Sequence, residues 1–301
     1  MIATFKPCQL AGTIAAPPSK SMAHRYLIGA ALSKGISTLS GVDCSQDILA
    51  SIDCLEALGA KISTEGDTVT VHLSGRAEEI LSVRVDDLPV AAEAAARNLK
   101  ILGVTEHGPG IPGTCNPILF RNFVDAPRNL FGVEMLYGSE TNVLNSGKVD
   151  LDEKHLNCLD YAIAGIHGLC YEDVGAVRNT DNVVSCMKHP KVKFISHPDA
   201  NNYPMDYEAL VLGAKEFGCA LEMNNSSLRK PKLRPGCVEN YRKMLPLCME
   251  HGVPVIVNTD AHDPSQVGDF TLARTMLEEI GFDENLILNN DAEKLKAFLL
   301  G

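Results

Sequence analysis

No stretch of this 301-residue chain approaches the roughly 18–20 consecutive apolar residues that cross a bilayer, so no membrane span and no membrane partner are expected. The first ten residues lack the charged start and long apolar run of a secretory signal. No CxxC pair occurs, and the ten cysteines follow no regular framework. In a chain this long, that pattern reads as reduced thiols and a cytoplasmic location. There is no excess of positive charge either. With 27 basic and 38 acidic side chains the formal net charge is −11, which argues against a nucleic-acid partner. An acidic protein can still bind phosphates when metal ions supply the positive charge. What is present is ample apolar material, 45% of residues, enough for one large domain or two modest ones. Nothing in the sequence fixes the oligomeric state.

Two histidine-bearing segments stand out near the C-terminal end: Phe194-Ile-Ser-His197-Pro and Val257-Asn-Thr-Asp260-Ala-His262-Asp. Each is a short apolar run, read as a buried strand, that ends in a potential metal ligand. Asp260 and His262 lie two apart, so both side chains can point the same way. The carboxyl ends of parallel strands are where α/β proteins build their sites.

Residues 1–75 read strand, helix, strand, helix, strand, strand. The elements expected are a strand at Leu10 to Ala15, a helix at Met22 to Leu32 with Tyr26, Leu27, Ala30 and Ala31 on one face, and a strand at Ile36 to Leu39. A helix at Gln46 to Leu58 follows, with Ile48, Leu49, Ile52, Leu55 and Leu58 inward. Ala60 to Thr64 and Thr68 to Leu73 form a hairpin around Gly66-Asp67. Gly35 and Gly59 stop the two helices. At the start of the first helix, Lys20, Ser21 and Arg25 have two open readings. They gather around an anion at the positive helix end, or Ser caps the helix and both cations are solvated.

The wider string Leu10-Ala-Gly-Thr-Ile-Ala-Ala-Pro-Pro-Ser-Lys-Ser-Met-Ala-His-Arg25, with Leu39-Ser-Gly-Val-Asp43 and Leu55-Glu-Ala-Leu-Gly-Ala60, resembles the N-terminus of 5-enolpyruvylshikimate-3-phosphate synthase. The resemblance covers about 70 residues. It implies one βαβαββ unit, and it implies that Lys20, Ser21 and Arg25 meet substrate phosphate and carboxylate groups. That family places its substrate between two domains of three such units. The other substrate-binding residues have no counterpart here, so the set is expected to be vestigial.

Downstream, Ser82 to Leu88 reads as a strand and Val90 to Asn98 as an alanine-rich helix after Pro89. Short apolar runs then alternate with helical patterns, as βα units do. Six runs end at Glu106-His107, Glu140, His167, His197, Asn224 and Asp260. Burying several carboxylates and imidazoles together is costly without cations. Such donors suit zinc, manganese or iron. Asn224 and Asn225 end a strand and either line the mouth or make a structural turn. His24, His72, His155, His189 and His251 sit in helical or exposed contexts and are read as non-ligands.

The motifs Thr105-Glu-His107-Gly-Pro, Gly138-Ser-Glu140-Thr-Asn, Ala164-Gly-Ile-His167, Ile195-Ser-His197-Pro, Glu222-Met-Asn-Asn-Ser-Ser227 and Thr259-Asp260-Ala-His262 resemble the PHP (polymerase and histidinol phosphatase) family, over about residues 90–300. The resemblance implies an α/β fold, a distorted (β/α)7-type barrel at residues 82–301, and hydrolysis of a small phosphorylated substrate with one to three divalent ions. It implies Glu140 as a bridging carboxylate and His167 and His197 as partners in one site. It further implies His107 and His262 in another, with Asp260 serving the third. Asp260 and His262 are the expected catalytic residues. One departure is large. The family opens with a strand ending in Asp-x-His-x-His and a third histidine, yet no histidine lies between His72 and His107. The barrel is therefore expected to lack part of its first unit. The alternatives are a non-catalytic metal-binding remnant of a fusion, or a 3-phosphoshikimate 1-carboxyvinyltransferase-like protein.

Overall fold

The computed structural model describes residues 19–32, 36–57, 60–73 and 87–301. The chain divides into two units, Met1–Val83 and Arg84–Gly301. The first contains α1 (Lys20–Leu32), β1 (Ile36–Leu39), α2 (Gln46–Ala57), β2 (Ala60–Glu65) and β3 (Thr68–Leu73). Its strands form an antiparallel sheet in the order β1-β3-β2. Gly66 takes φ +61° in the turn between β2 and β3, a backbone that glycine adopts without penalty. Val69 and Val71 alternate onto the same core as Ala23, Leu27, Ala30 and Ala31 of α1 and Ile48 and Ile52 of α2. Tyr26 is exposed, contrary to the expected face. A helix turns about 100° per residue, and the inward stripe runs through 23, 27, 30 and 31 instead. Leu49 is exposed for the same reason. The expected strand at Leu10 to Ala15, the inward Leu58 and the helix stops at Gly35 and Gly59 lie outside the described residues.

The second unit begins with α3 (Asp87–Ala96), β4 (Ile101–His107), α4 (Ile118–Asn122), β5 (Asn129–Leu130), β6 (Val133–Asn142) and α5 (Glu153–Leu156). It continues with β7 (Tyr161–Gly165), α6 (Ala176–Met187), β8 (Val192–Ile195), α7 (Tyr207–Phe217), β9 (Ala220–Asn224) and α8 (Asn225–Arg229). The last elements are α9 (Cys237–His251), β10 (Val255–Asn258), α10 (Thr271–Ile280) and α11 (Ala292–Leu300). Residues 82–86 of the strand expected at Ser82 to Leu88 lie outside the described residues, and residues 87 and 88 begin α3 instead. Pro89 sits in the first turn of that helix, where its missing N–H leaves no helical bond unmade. Asn98, at φ +59°, follows the helix in the left-handed conformation that ends many helices.

The strands run β10-β9-β8-β7-β6-β4, with β5 added antiparallel to β6. All pairs along that order are parallel. Each strand is laid beside its predecessor, so the sheet curls in one direction as a parallel half-barrel rather than doubling back. Both faces are covered, which is why the strands read as continuous apolar runs. Outward residues such as Met135, Tyr137, Ala162, Leu221 and Val255 share a core with Val183 of α6, Leu210 of α7 and Met244 of α9. Inward residues Leu136, Tyr161, Ile163, Phe194, Ala220 and Ile256 pack with Leu288 and with Leu299 of α11. The outer edge of β10 is covered by a parallel bridge from Val255 to Ile287 and by the Asn289 side chain, whose Oδ1 accepts from Val257 N–H at 2.6 Å and whose Nδ2 donates to Val257 O at 2.9 Å. No helix among the described residues is long and apolar enough to cross a membrane.

Candidate metal centre

Strand alternation carries the inner face from apolar to polar along each strand. Two residues at a time, Leu136 leads through Gly138 to Glu140, Phe194 leads to Ser196, Ala220 to Glu222 and Ile256 to Asn258. His107 pairs in register with Glu140 across β4 and β6, so both project to the same side. The polar residues therefore collect at the carboxyl ends of the strands.

Glu140 is the centre of this collection. Its Oε1 lies 2.9 Å from His197 Nε2 and 3.3 Å from His167 Nε2, and its Oε2 lies 3.7 Å from His107 Nδ1. Ser196 Oγ donates to Oε1 at 2.7 Å. The rings of His107 and His167 meet edge to face at 4.9 Å, and those of His167 and His197 at 5.2 Å. His262 stands farther out, 6.3 Å from the His107 ring. Its Nδ1 is 3.5 Å from Asp260 Oδ1. Asn224 Nδ2 reaches Asp260 Oδ2 at 3.2 Å and Glu222 Oε2 at 3.1 Å. The orientation of that amide is fixed, because Asn224 Oδ1 accepts the Ser227 N–H as the N-cap of α8.

Two of these residues hold a backbone that non-glycine residues rarely adopt: φ is +29° at His197 and +46° at Asp260. At His197 the strained peptide is anchored, since its N–H donates to Glu222 Oε2 at 2.6 Å. Asn258 Nδ2 donates to the other oxygen, Oε1, at 2.8 Å. Glu222 thus ties β8, β9 and β10 together beneath the site.

The charges are arranged by burial and proximity. Burial works against the Glu140 carboxylate, but the His167 and His197 imidazoles outweigh it and hold its pKa well below the usual range. Burial dominates at His167 and pulls its pKa down, against the attraction of Glu140. At His197 burial and Arg234 press the pKa down, yet Glu140 and Glu222 prevail and raise it. Glu222 is pushed up to about 7, first by burial and then by the neighbouring Asp260 and Glu140 charges, with His197 and Asn258 opposing.

The donor set fits a divalent ion. His107, Glu140 and His167 offer ligand atoms that all lie within 4.8 Å of one another. His107 Nδ1 and both ring nitrogens of His167 are buried without a hydrogen-bond partner. Buried polar atoms are rarely left so, and a cation is the partner that imidazole lone pairs of this kind take. The surrounding cavity measures about 740 Å³ and is lined by His107, Glu140, His197, Glu222, Asn224, Asp260 and His262 at its polar end. Among its described lining residues there is no lysine or arginine.

Of the residues singled out from sequence, the structure brings together His107, Glu140, His167, His197, Asp260, His262 and Asn224. Asn225 turns elsewhere: its Oδ1 accepts the Ala273 N–H at 2.9 Å, which fixes α10 rather than lining the cavity. Lys20, Ser21 and Arg25 are exposed on the first turns of α1 in the smaller unit, and Lys20 pairs with Asp47 at 3.2 Å. His24, His155 and His189 are bound to Ser51, Asp152 and Glu153. Sequence reasoning gave no role to Glu222, Ser196, Asn258 or Arg234. Parity could have found the first three, each an even number of residues from an inward apolar neighbour on its strand.

Residues 5–102 match the family described as EPSP synthase (3-phosphoshikimate 1-carboxyvinyltransferase). A probable phosphatase of Clostridium botulinum is 37% identical over 208 residues, which is 69% of this chain and 84% of that protein. A probable phosphatase of Caldicellulosiruptor saccharolyticus is 36% identical over 212 residues, 70% of this chain and 87% of that protein. Among solved structures, a histidinol phosphate phosphatase of Lactococcus lactis, complexed with zinc, L-histidinol and phosphate, is 16% identical. It matches with a TM-score of 0.44, covering 65% of this chain and 87% of that one.

Proposed function

Because this chain belongs to the family of those probable phosphatases, we propose that its larger unit, Arg84–Gly301, is a metal-dependent phosphatase of PHP type acting on a small phosphate ester. The observation that carries this reading is the gathering of Glu140 with His107, His167 and His197 at a cavity without a described lysine or arginine. A phosphoryl group entering there meets no described lysine or arginine in the lining. Divalent ions, zinc, manganese or iron and one to three in number, fill that need.

Glu140, His107, His167 and His197 would hold one ion or share two, with Asp260 and His262 beside them. Bound ions of this kind activate water and offset the charge that develops on a phosphoryl group. The chain's own residues do the rest. Glu140 stays ionised between the imidazoles. Burial keeps His167 neutral, with its lone pair available. Asn224 steers the Asp260 carboxylate inward. His262 stands at the exposed rim, where its ring can hand a proton to a departing oxygen. The smaller unit, Met1–Val83, is a synthase-like piece with no part in this chemistry.

Hydrolysis of nitrophenyl phosphate with added manganese or zinc is the test. Turnover that Asp260→Ala abolishes is expected. Metal bound without turnover would instead mark a non-catalytic remnant. Equal metal content in the wild type and a His167→Ala/His197→Ala double variant would overturn the ligand assignment itself.

A further inference from the structure

Behind the His197 ring, away from Glu140, stands an arginine. Arg234 Nη1 lies 3.0 Å from His197 Nδ1. A guanidinium has only N–H donors and keeps its proton at any physiological pH. The nitrogen it approaches must therefore be bare. A neutral ring then carries its proton on Nε2, which faces Glu140 Oε1 at 2.9 Å. In that tautomer Nε2 has no lone pair for an ion. Moving the proton to Nδ1 frees Nε2, but it would point an N–H at a guanidinium N–H.

The arginine has somewhere else to go. Asp199 Oδ1 lies 4.0 Å from the same Nη1, on a fully buried side chain. The other oxygen, Oδ2, accepts the Tyr241 hydroxyl at 2.6 Å, whereas Oδ1 has no hydrogen-bond partner. A buried carboxylate oxygen left unpaired is costly, and a shift of about 1 Å would bring the guanidinium into the range of a charge-assisted bond. A small cavity lined by His197, Asp199 and Arg234 adjoins all three groups.

We propose that Arg234 and the metal compete for His197: the arginine holds the ring in its non-ligating tautomer, and ion binding at Nε2 displaces the guanidinium onto Asp199. This rests on the metal-site reading given above. Arg234 is thus a positioning residue with two stations, and its contact with His197 opposes loading. Such a coupling is reciprocal, so whatever draws Arg234 away from His197 tightens metal binding by the same factor.

Nitrogen NMR of the full-length protein labelled with 15N-histidine, first in chelator, reads the tautomer directly. A His197→Gln variant identifies the signal. The wild type is expected to show Nε2 protonated and Nδ1 bare, and Arg234→Lys, which keeps a donor, to match it. In Arg234→Gln the amide oxygen can accept from Nδ1–H, so the tautomer should reverse. Calorimetry should then show Mn²⁺ binding about tenfold tighter, within the range that groups behind a ligand usually exert. A purely structural arginine would leave the tautomer unmoved. A protonated Nδ1 in the metal-free wild type overturns the proposal, and does so even if Arg234→Gln fails to fold. Unchanged or weaker Mn²⁺ binding in a folded Arg234→Gln protein overturns the competition alone. Absence of Mn²⁺ and Zn²⁺ binding in every variant, with the wild-type tautomer as stated, would instead overturn the metal-site reading.

Discussion

Glu222 is a carboxylate that the fold keeps from ionising easily, and this makes the metal-free protein pH-sensitive in a definite direction. Its pKa is raised to about 7 in the folded state, against about 4.3 in an unfolded chain. Between those values the folded state holds a proton that the unfolded state has lost. Stability from this group is therefore full below about pH 4 and is lost as pH rises through about 7. In chelator, the wild type should lose more stability between pH 5 and pH 8 than Glu222→Gln does. Denaturant melts at the two pH values check this, and equal losses would refute it. Glu140 works in the opposite sense, since its lowered pKa gives stability that is lost only as pH falls below the usual carboxylate range. Glu140, His107, His167 and His197 are legible in the sequence because each ends an apolar run. Glu222 sits inside its run and shows only through parity with Asn224. Arg234 follows α8 in a loop without periodicity, and no pattern marks it.

Among the elements, β7 illustrates how a strand leaves room for the site. Its last residue, Gly165, faces inward beside the donors. A methyl group there would lie 2.2 Å from Ser196 Oγ, 3.1 Å from His167 Cε1 and 3.2 Å from Glu140 Oε1. Gly165→Ala should therefore displace Ser196 and crowd Glu140. The expected cost is about 1–3 kcal/mol of stability, typical of overpacking, with metal affinity reduced at least about tenfold, the lower end for disturbed groups behind a ligand. Calorimetric metal titration beside a melt separates the two effects; full affinity would show that the strand end has slack. The strands are legible as elements because each apolar run is bounded by turn residues and carries a polar residue at its end. Their curling is not, because it depends on which strand neighbours which. The face of α1 was legible only in part: one register of the 3.6 pattern puts Tyr26 inside, and the packing of Val69 and Val71 selects another.

For the whole molecule, the larger unit has cores on both faces of its sheet, and the smaller unit has its own core, with ten buried residues among those described. Separate cores give separate unfolding events. Calorimetric scanning should resolve two transitions, and added Mn²⁺ should raise only the one belonging to the larger unit. At a hundredfold excess over the dissociation constant the gain is about 2.7 kcal/mol. A metal shift of both transitions, or a single merged one, would count against the division. The smaller unit presents Lys20 already paired with Asp47 across a solvent-exposed surface, where ionic contacts are weak and screened. Binding of shikimate 3-phosphate should accordingly be weak and salt-sensitive, with no carboxyvinyl transfer from phosphoenolpyruvate. Tight binding in a low-salt titration would reverse that view.

The Asn289 amide, beside the Val255–Ile287 bridge, occupies the edge of β10 that an added strand would need. An open strand edge is a template on which another chain can add itself. By giving Val257 both an acceptor and a donor, one side chain supplies what an incoming strand would bring. Asn289→Ala uncovers that pair of backbone groups while leaving the strand's apolar sequence in place. The variant should stay folded but self-associate more readily on concentration, which light scattering would register, and the species formed would be rich in intermolecular β-structure rather than unfolded chain.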